Sequence, residues 1–194
     1  MLDTQKLIIQ RFKDTISVKE NIINDHILID MISKLANKTA DTIKNGNKLI
    51  LCGNGGSASD ALHFAGEIVG RFIKERQAWP AIVLNADVAT MTAIANDYGY
   101  DEVFARQADG LTQNGDLFIG ISTSGNSENV KRAIEVAQKK GATTVALLGK
   151  DGGIIKDIVD YPIIVKSKST ARVQESHICI IHIVCELVEL YLNS

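Results

Sequence analysis

From residue 48 onward, short apolar runs alternate with longer stretches of helical periodicity, and few folds accept that alternation. The runs lie at 48–52, 81–84, 116–121, 143–148 and 163–165. Each of the first four leads into a helix-like stretch, at 57–74, 86–98, 126–139 and, briefly, near 152–158. Apolar strands separated by helices form a parallel sheet covered on both faces. A last helical stretch, roughly 171–193, carries Val173, Ile180, Ile181, Val184 and Leu187 in its apolar pattern. The pattern predicts a three-layer α/β/α sandwich around five parallel strands, flavodoxin-like in class. Such sheets bind ligands at the carboxyl ends of their strands.

The first ~45 residues read as two amphipathic helices. Ile8, Ile9, Phe12 and Ile16 make one stripe, and Leu28, Met31, Ile32, Leu35 and Ala36 another, with Asn24 or Asp25 as the second helix's cap. Two such helices ahead of an α/β unit need something to cover, so oligomer contacts are expected of segment 1–46, with 47–194 as the core. The 194 residues suit one domain. A net charge of −2 argues against a non-specific polyanion binder, so no nucleic-acid partner is expected. No run approaches the ~18 apolar residues of a membrane span, and the charged N-terminal stretch lacks signal-peptide character. Cys52, Cys179 and Cys185 form no CxxC, and their apolar settings predict free thiols in a reducing cytoplasm.

Two strand-to-helix turns have the chemistry of anion cradles. The first strand runs into Gly53-Asn54-Gly55-Gly56-Ser57-Ala58-Ser59. Its glycines let backbone N–H groups approach a ligand, and the following helix start favours an anion. No Gly-Lys-Ser/Thr follows, so this is not a Walker A loop. Gly53, Gly55 and Ala58 fit the dinucleotide frame loosely, but Leu84 and Asn85 stand where a ribose-binding acid belongs. A plain tight turn with a helix cap fits this segment equally well. The third strand runs into Ser122-Thr123-Ser124-Gly125-Asn126-Ser127. One hydroxyl caps a helix, so capping does not account for four. A neutral cradle of hydroxyls and amides suits the phosphate of a small metabolite.

His63 and Glu67 stand i and i+4 on the helix after the first turn, so they share a face. Gln174 and His182 lie eight apart on the last helix, offset by about 80°. Two imidazoles, a carboxylate and an amide oxygen suit a divalent metal such as zinc. A surface ion pair and a core histidine fit the same spacing. Asn96-Asp97-Tyr98-Gly99 reads as a helix stop, with Asp97 either capping or facing the ligand mouth. Arg71 and Arg172 fit ion pairs or substrate contacts, and Gln174, Glu175 and His177 crowd polar groups onto a packing helix.

Taken together, GNGGSASDALHFAGEIVGRF, ANDYGYDEVFARQ, GISTSGNSENV, GKDGG and STARVQESHICIIHIVCELVE resemble the bacterial sedoheptulose 7-phosphate isomerase family of the SIS fold. The resemblance runs over roughly residues 1–192. The STSGNS loop is similar to that of SIS domains generally, whereas HxxxE, TARxQExH and His182 are specific to this family. It implies one zinc per subunit on His63, Glu67, Gln174 and His182. It implies phosphate and substrate contacts from Asn54, Gly55, Gly56, Ser57, Ser122, Thr123, Ser124 and Ser127. Glu67 and Gln174 join these contacts, and Asn96 and Asp97 match positions that hold the sugar. The implied protein is a cytoplasmic homotetramer making D-glycero-D-manno-heptose 7-phosphate for lipopolysaccharide or capsule. Ketose-to-aldose conversion needs an acid and a base, and Glu67 as base with His182 as acid supply them. The variable stretch 85–88 puts the pocket wall, and with it strict substrate identity, in question.

Three rivals remain. Non-catalytic SIS relatives bind the replication initiator, but they lack the histidine matching His182. A sugar-phosphate sensor needs a signalling module, and the chain leaves no room for a helix-turn-helix. An isomerase of another phosphosugar fits the same residues.

Overall fold

The protein is described by a computed structural model covering residues 3–193, in which five parallel strands build one sheet. Met1 and Leu2, in the expected 1–46 segment, and Ser194 lie outside the described residues. Two helices, α1 (Thr4–Asn24) and α2 (His26–Lys44), precede β1 (Leu49–Gly53) and α3 (Gly56–Val69). There follow β2 (Ala81–Val83), α4 (Val88–Tyr98), α5 (Ala105–Leu111), β3 (Leu117–Ser122) and α6 (Glu128–Lys139). The chain continues through β4 (Thr143–Gly149), β5 (Tyr161–Val165) and α7 (Thr170–Leu192).

The strand order is β2-β1-β3-β4-β5, with Leu49 opposite Leu117 and Leu117 opposite Thr143. β1 and β3 are buried throughout and β4 in all but its first residue. Burial on both faces explains why these strands read as continuous apolar runs. β5 is an edge strand, and Pro162 sits where the ladder needs no second donor row. Leu35 of α2, Phe64 of α3 and Val184 of α7 pack with Leu49, Leu51 and Leu117 on one side. Ile94, Phe104, Ala108, Val130 and Ile134 pack with Ile50, Cys52 and Phe118 on the other. This is the expected α/β/α sandwich. Among the described residues no helix is long and apolar enough to cross a membrane.

Several boundaries differ from expectation for identifiable reasons. The helix expected over 57–74 ends at Val69, because the amides of Phe72, Ile73 and Lys74 donate to Glu189 instead of continuing the helix ladder. The short helix near 152–158 is a single 3₁₀ turn, Ile155–Asp157. The turn Tyr100–Glu102 and α5 were not expected, being too short to show a period. Asp25, of the two candidates, caps α2 by accepting from the Leu28 amide at 3.1 Å. No residue of α1 is buried, and Ile8, Ile9, Phe12 and Ile16 all face solvent, Phe12 being 69% exposed. Cys52 and Cys185 are buried free thiols and Cys179 is half-buried. Burial pushes the Cys185 thiol up to about 12, so it is not ionised at neutral pH.

His177 belongs to the packing rather than to a site. It is fully buried, and its Nε2 donates to the Leu148 carbonyl at 3.0 Å. Burial pushes its pKa from 6.5 down to about 4, with the Leu148 contact opposing. The unfolded chain therefore binds the proton first, and stability is lost as pH falls from 6.5 toward 4. Between pH 7.5 and 4.5 this group alone removes about 2–3 kcal/mol. Urea midpoints at the two pH values are expected to converge by that amount in His177→Gln; an unchanged pH slope refutes the assignment.

Candidate active site

The strand order reverses direction at β1 and β3, and both glycine- and serine-rich turns leave the sheet there. A doubly wound sheet opens its ligand crevice at this switch point. The two helices that start at it lack the side-chain caps that α1, α2 and α4 carry. Asp3, Asp25 and Asp87 cap α1, α2 and α4 with side-chain oxygens. α3 starts from Gly55 at φ +56° and α6 from Ser127, and neither has a side-chain cap. The Ser127 hydroxyl is instead 2.8 Å from Ser122 Oγ, which also lies 3.3 Å from Ser124 Oγ. Helix starts without side-chain caps beside a knot of hydroxyls leave donors for an anion.

The serine turn is locked from behind. Gly125 sits at φ +68°, and a Cβ there would lie 2.1 Å from the Gly152 carbonyl oxygen. Its own carbonyl accepts from the Ile155 amide at 3.0 Å, and Asn126 Oδ1 accepts from the Ile154 amide at 3.1 Å. The Lys150–Gly153 segment thus backs the turn. We expect Gly125→Ala to cost about 1–3 kcal/mol in backbone strain. It should also raise KM for a phosphorylated substrate at least tenfold, measured by initial rates; a wild-type KM overturns the role of this turn.

Asn54 faces the second turn, donating from Nδ2 to Asn129 Oδ1 at 2.9 Å. Tyr100 Oη donates to Asn54 Oδ1 at 2.9 Å, tying the segment after α4 to the first turn. Asn96 and Asp97 end α4 just before it, exposed, with Asn96 Nδ2 donating to Asp97 Oδ1 at 2.9 Å. Gly55 and Gly56 are exposed, Ser57 is buried, and Thr123 is half-buried.

α3 and α7 run side by side in the same direction. Gln174 lies over Gly56, so close that a Cβ at Gly56 would be 2.2 Å from Gln174 Nε2. Further along, His63 Nε2 is 2.9 Å from His182 Nε2 and 3.2 Å from Glu67 Oε1. One ligand atom from each of His63, Glu67 and His182 lies within 4.8 Å of the others. Two imidazole nitrogens and a carboxylate at that spacing fit a divalent ion of zinc's preferences. The structure brings three of the four expected ligands together and holds Gln174 at the α3 entrance. Asp60 shares the α3 stripe with Gly56, His63 and Glu67; burial pushes its carboxyl up to about 6, opposed by charge on His63. Arg71 pairs loosely with Glu75, and Arg172 ties α7 to α1 through the Arg11 carbonyl.

Tyr100, Asn129, Phe72, Arg76 and Glu189 surround these groups without having been singled out in the sequence. Glu189 had one legible signal, a carboxylate on the apolar stripe of Ile181, Cys185 and Val188.

The SIS domain family model matches residues 13–149. The chain is 56% identical to a phosphoheptose isomerase of Trichlorobacter lovleyi over 158 residues, covering 81% of each. A phosphoheptose isomerase of Sulfurimonas denitrificans is 47% identical over 185 residues, or 95% of each. The structure of a phosphoheptose isomerase from Francisella tularensis superposes with a TM-score of 0.93 at 34% identity, covering 97% of this chain and all of that one. Identity at this level over this span, together with the shared fold, places the chain in the SIS-domain family of phosphoheptose isomerases.

Proposed function

We propose that the chain is an aldose–ketose isomerase converting D-sedoheptulose 7-phosphate to D-glycero-D-manno-heptose 7-phosphate. The observation that carries this reading is the meeting of His63, Glu67 and His182 on α3 and α7, with α3 starting beside the hydroxyl turn of Ser122–Ser127. The phosphate sits in that turn, with Asn54, Gly55, Gly56 and Ser57 on the facing side and Asn96 and Asp97 on the sugar. Glu67 takes the proton from the carbon next to the carbonyl. His182 donates to the carbonyl oxygen as the enediol forms; the proton held by Glu67 then returns to the neighbouring carbon while the hydroxyl on the first carbon gives its proton to His182 as the new carbonyl forms. A base and an acid from two different helices can stand on two sides of one carbon–carbon bond.

Zinc, one per subunit, is the metal this donor set suits; His63, Glu67 and His182 would hold it, with Gln174, lying over the start of α3, the fourth expected ligand. Bound there, it supplies Lewis-acid polarisation of the carbonyl and enediol oxygens. Glu67 and His182 then belong to both the ligand and the proton-transfer sets.

The exposed stripe on α1 and the groove of about 340 Å³ lined by Ile22, Ile23, Ile29, Cys179, Ile183 and Leu187 support a homotetramer. Apolar faces of this extent mark interfaces. The enzyme is cytoplasmic, and its product enters nucleotide-activated heptose for lipopolysaccharide or capsule. The deciding test is an assay of the purified protein on sedoheptulose 7-phosphate with zinc supplied. Heptose 7-phosphate formation, abolished in His182→Gln, is expected. A tetramer by light scattering that turns nothing over points to a different phosphosugar.

A further inference from the structure

His182 is held from one side only by hydrogen bonding. Among the described residues, its ring nitrogens have one polar contact, His63 Nε2 at 2.9 Å. Histidines that act as ligands or acids are normally fixed by a second partner on the other ring nitrogen. Here the second neighbour is a ring: Phe72 lies 5.7 Å from His182 centroid to centroid, tilted by 34°. That distance is within the range of stabilising aromatic pairs.

Phe72 stands on the irregular segment between α3 and β2, where a side chain has no helix or strand to hold it. Glu189 holds it. Its Oε1 accepts from the Phe72 amide at 2.8 Å, and Oε2 from the Ile73 and Lys74 amides at 2.9 Å each. Three consecutive amides converging on one anion form a nest. Arg76 completes it, with Nε 3.1 Å from Glu189 Oε1 and both side chains only 3% exposed. The rest of the guanidinium caps the end of α3: Nη2 donates to the Glu67 carbonyl at 2.8 Å, and Nη1 to the carbonyls of Ile68 and Gly70 at 3.0 and 3.2 Å. Arg76 also lies over the Trp79 ring at 3.5 Å, which closes its remaining face.

One buried ion pair therefore holds the backbone of Phe72, whose ring meets His182, and the backbone of Glu67. We infer that the Glu189–Arg76 pair is a positioning clamp for catalysis. It seats the Phe72 ring against His182 and fixes the turn of α3 that carries Glu67. This inference rests on the proposed role of Glu67 and His182. Neither clamp residue touches substrate, and Phe72 acts through His182. All three are positioning residues.

Phe72→Leu tests the clamp with least risk to folding, since Phe72 is half-buried and leucine keeps its apolar packing. The readouts are kcat, KM, zinc affinity by chelator competition, and Tm. Expected are a kcat lowered at least tenfold, a KM within twofold, zinc bound about tenfold more weakly, and an unchanged Tm. Phe72→Tyr, which keeps the ring, restores both kcat and zinc affinity. Glu189→Gln lowers kcat in the same direction as Phe72→Leu. Wild-type kcat and zinc affinity in Phe72→Leu overturn the clamp, as does a tyrosine variant no better than leucine. Absence of heptulose phosphate turnover in the wild type overturns the proposed reaction instead, and the zinc arm then still decides the clamp. A wild type that neither binds zinc nor turns over overturns both.

Discussion

Replacing Glu67 with glutamine is expected to lower kcat by about 10³-fold while leaving KM within about threefold. A positioned general base contributes about 10²–10⁴ in rate, equivalent to roughly 3–5 kcal/mol of barrier. The substitution keeps the side chain's shape on a residue that is only a quarter exposed. Its backbone carbonyl stays on Arg76, so α3 keeps its end. The hydroxyl turn proposed to hold the phosphate lies between β3 and α6, away from the change, and should grip the substrate as before. Two measurements separate the possible origins of the loss. Solvent deuterium enters the substrate carbon beside the carbonyl only if a base removes its proton, so wash-in should disappear with kcat. Zinc retained at one per chain assigns the defect to proton transfer; zinc lost in parallel assigns it to ligation. Wash-in at the wild-type rate in Glu67→Gln would falsify the base assignment outright.

The parts of this site that were legible in the sequence are those set by local chemistry. Strands buried on both faces announce themselves as unbroken apolar runs, and so β1, β3 and β4 were found nearly residue for residue. The hydroxyl turn was legible because capping asks for one such group and the chain places four there. What stayed hidden depends on elements meeting. His63 and Glu67 read equally as a surface ion pair until α7 brings His182 within 2.9 Å. Gln174 and His182 looked like a pair leaning to one point, yet Gln174 rests on Gly56 at the far end of the α3–α7 seam. The early end of α3 was invisible for the same reason. Nothing near residue 70 in sequence breaks the helix except Gly70, and the acceptor that takes the next amides is Glu189, more than a hundred residues away. The α1 stripe was read correctly as apolar, and it stands exposed in the single chain.

Glu189→Ala should remove about 3–5 kcal/mol of stability, a large share of the 5–15 kcal/mol typical of a domain. The carboxylate is buried with four donors on it, and deleting it strands the Arg76 charge at 3% exposure. The same magnitude follows from a separate route. Burial alone would raise the Glu189 pKa, but the three amides and Arg76 outweigh it and bring the value from 4.5 down to about 2. A folded pKa below the unfolded one means stability fully present above pH 4.5 and lost as pH falls toward 2. A shift of that size corresponds to about 3 kcal/mol. The paired change separates the clamp from mere packing. Arg76→Met with Glu189→Leu removes both charges together and should cost less than Glu189→Ala alone, since no charge is left uncompensated. Urea denaturation of the two variants and the wild type reads this directly. A loss below about 1 kcal/mol in Glu189→Ala would mean that water reaches Arg76 readily and that the pair is a surface contact. A double variant less stable than the single one would mean that the charges stabilise the fold beyond their mutual compensation.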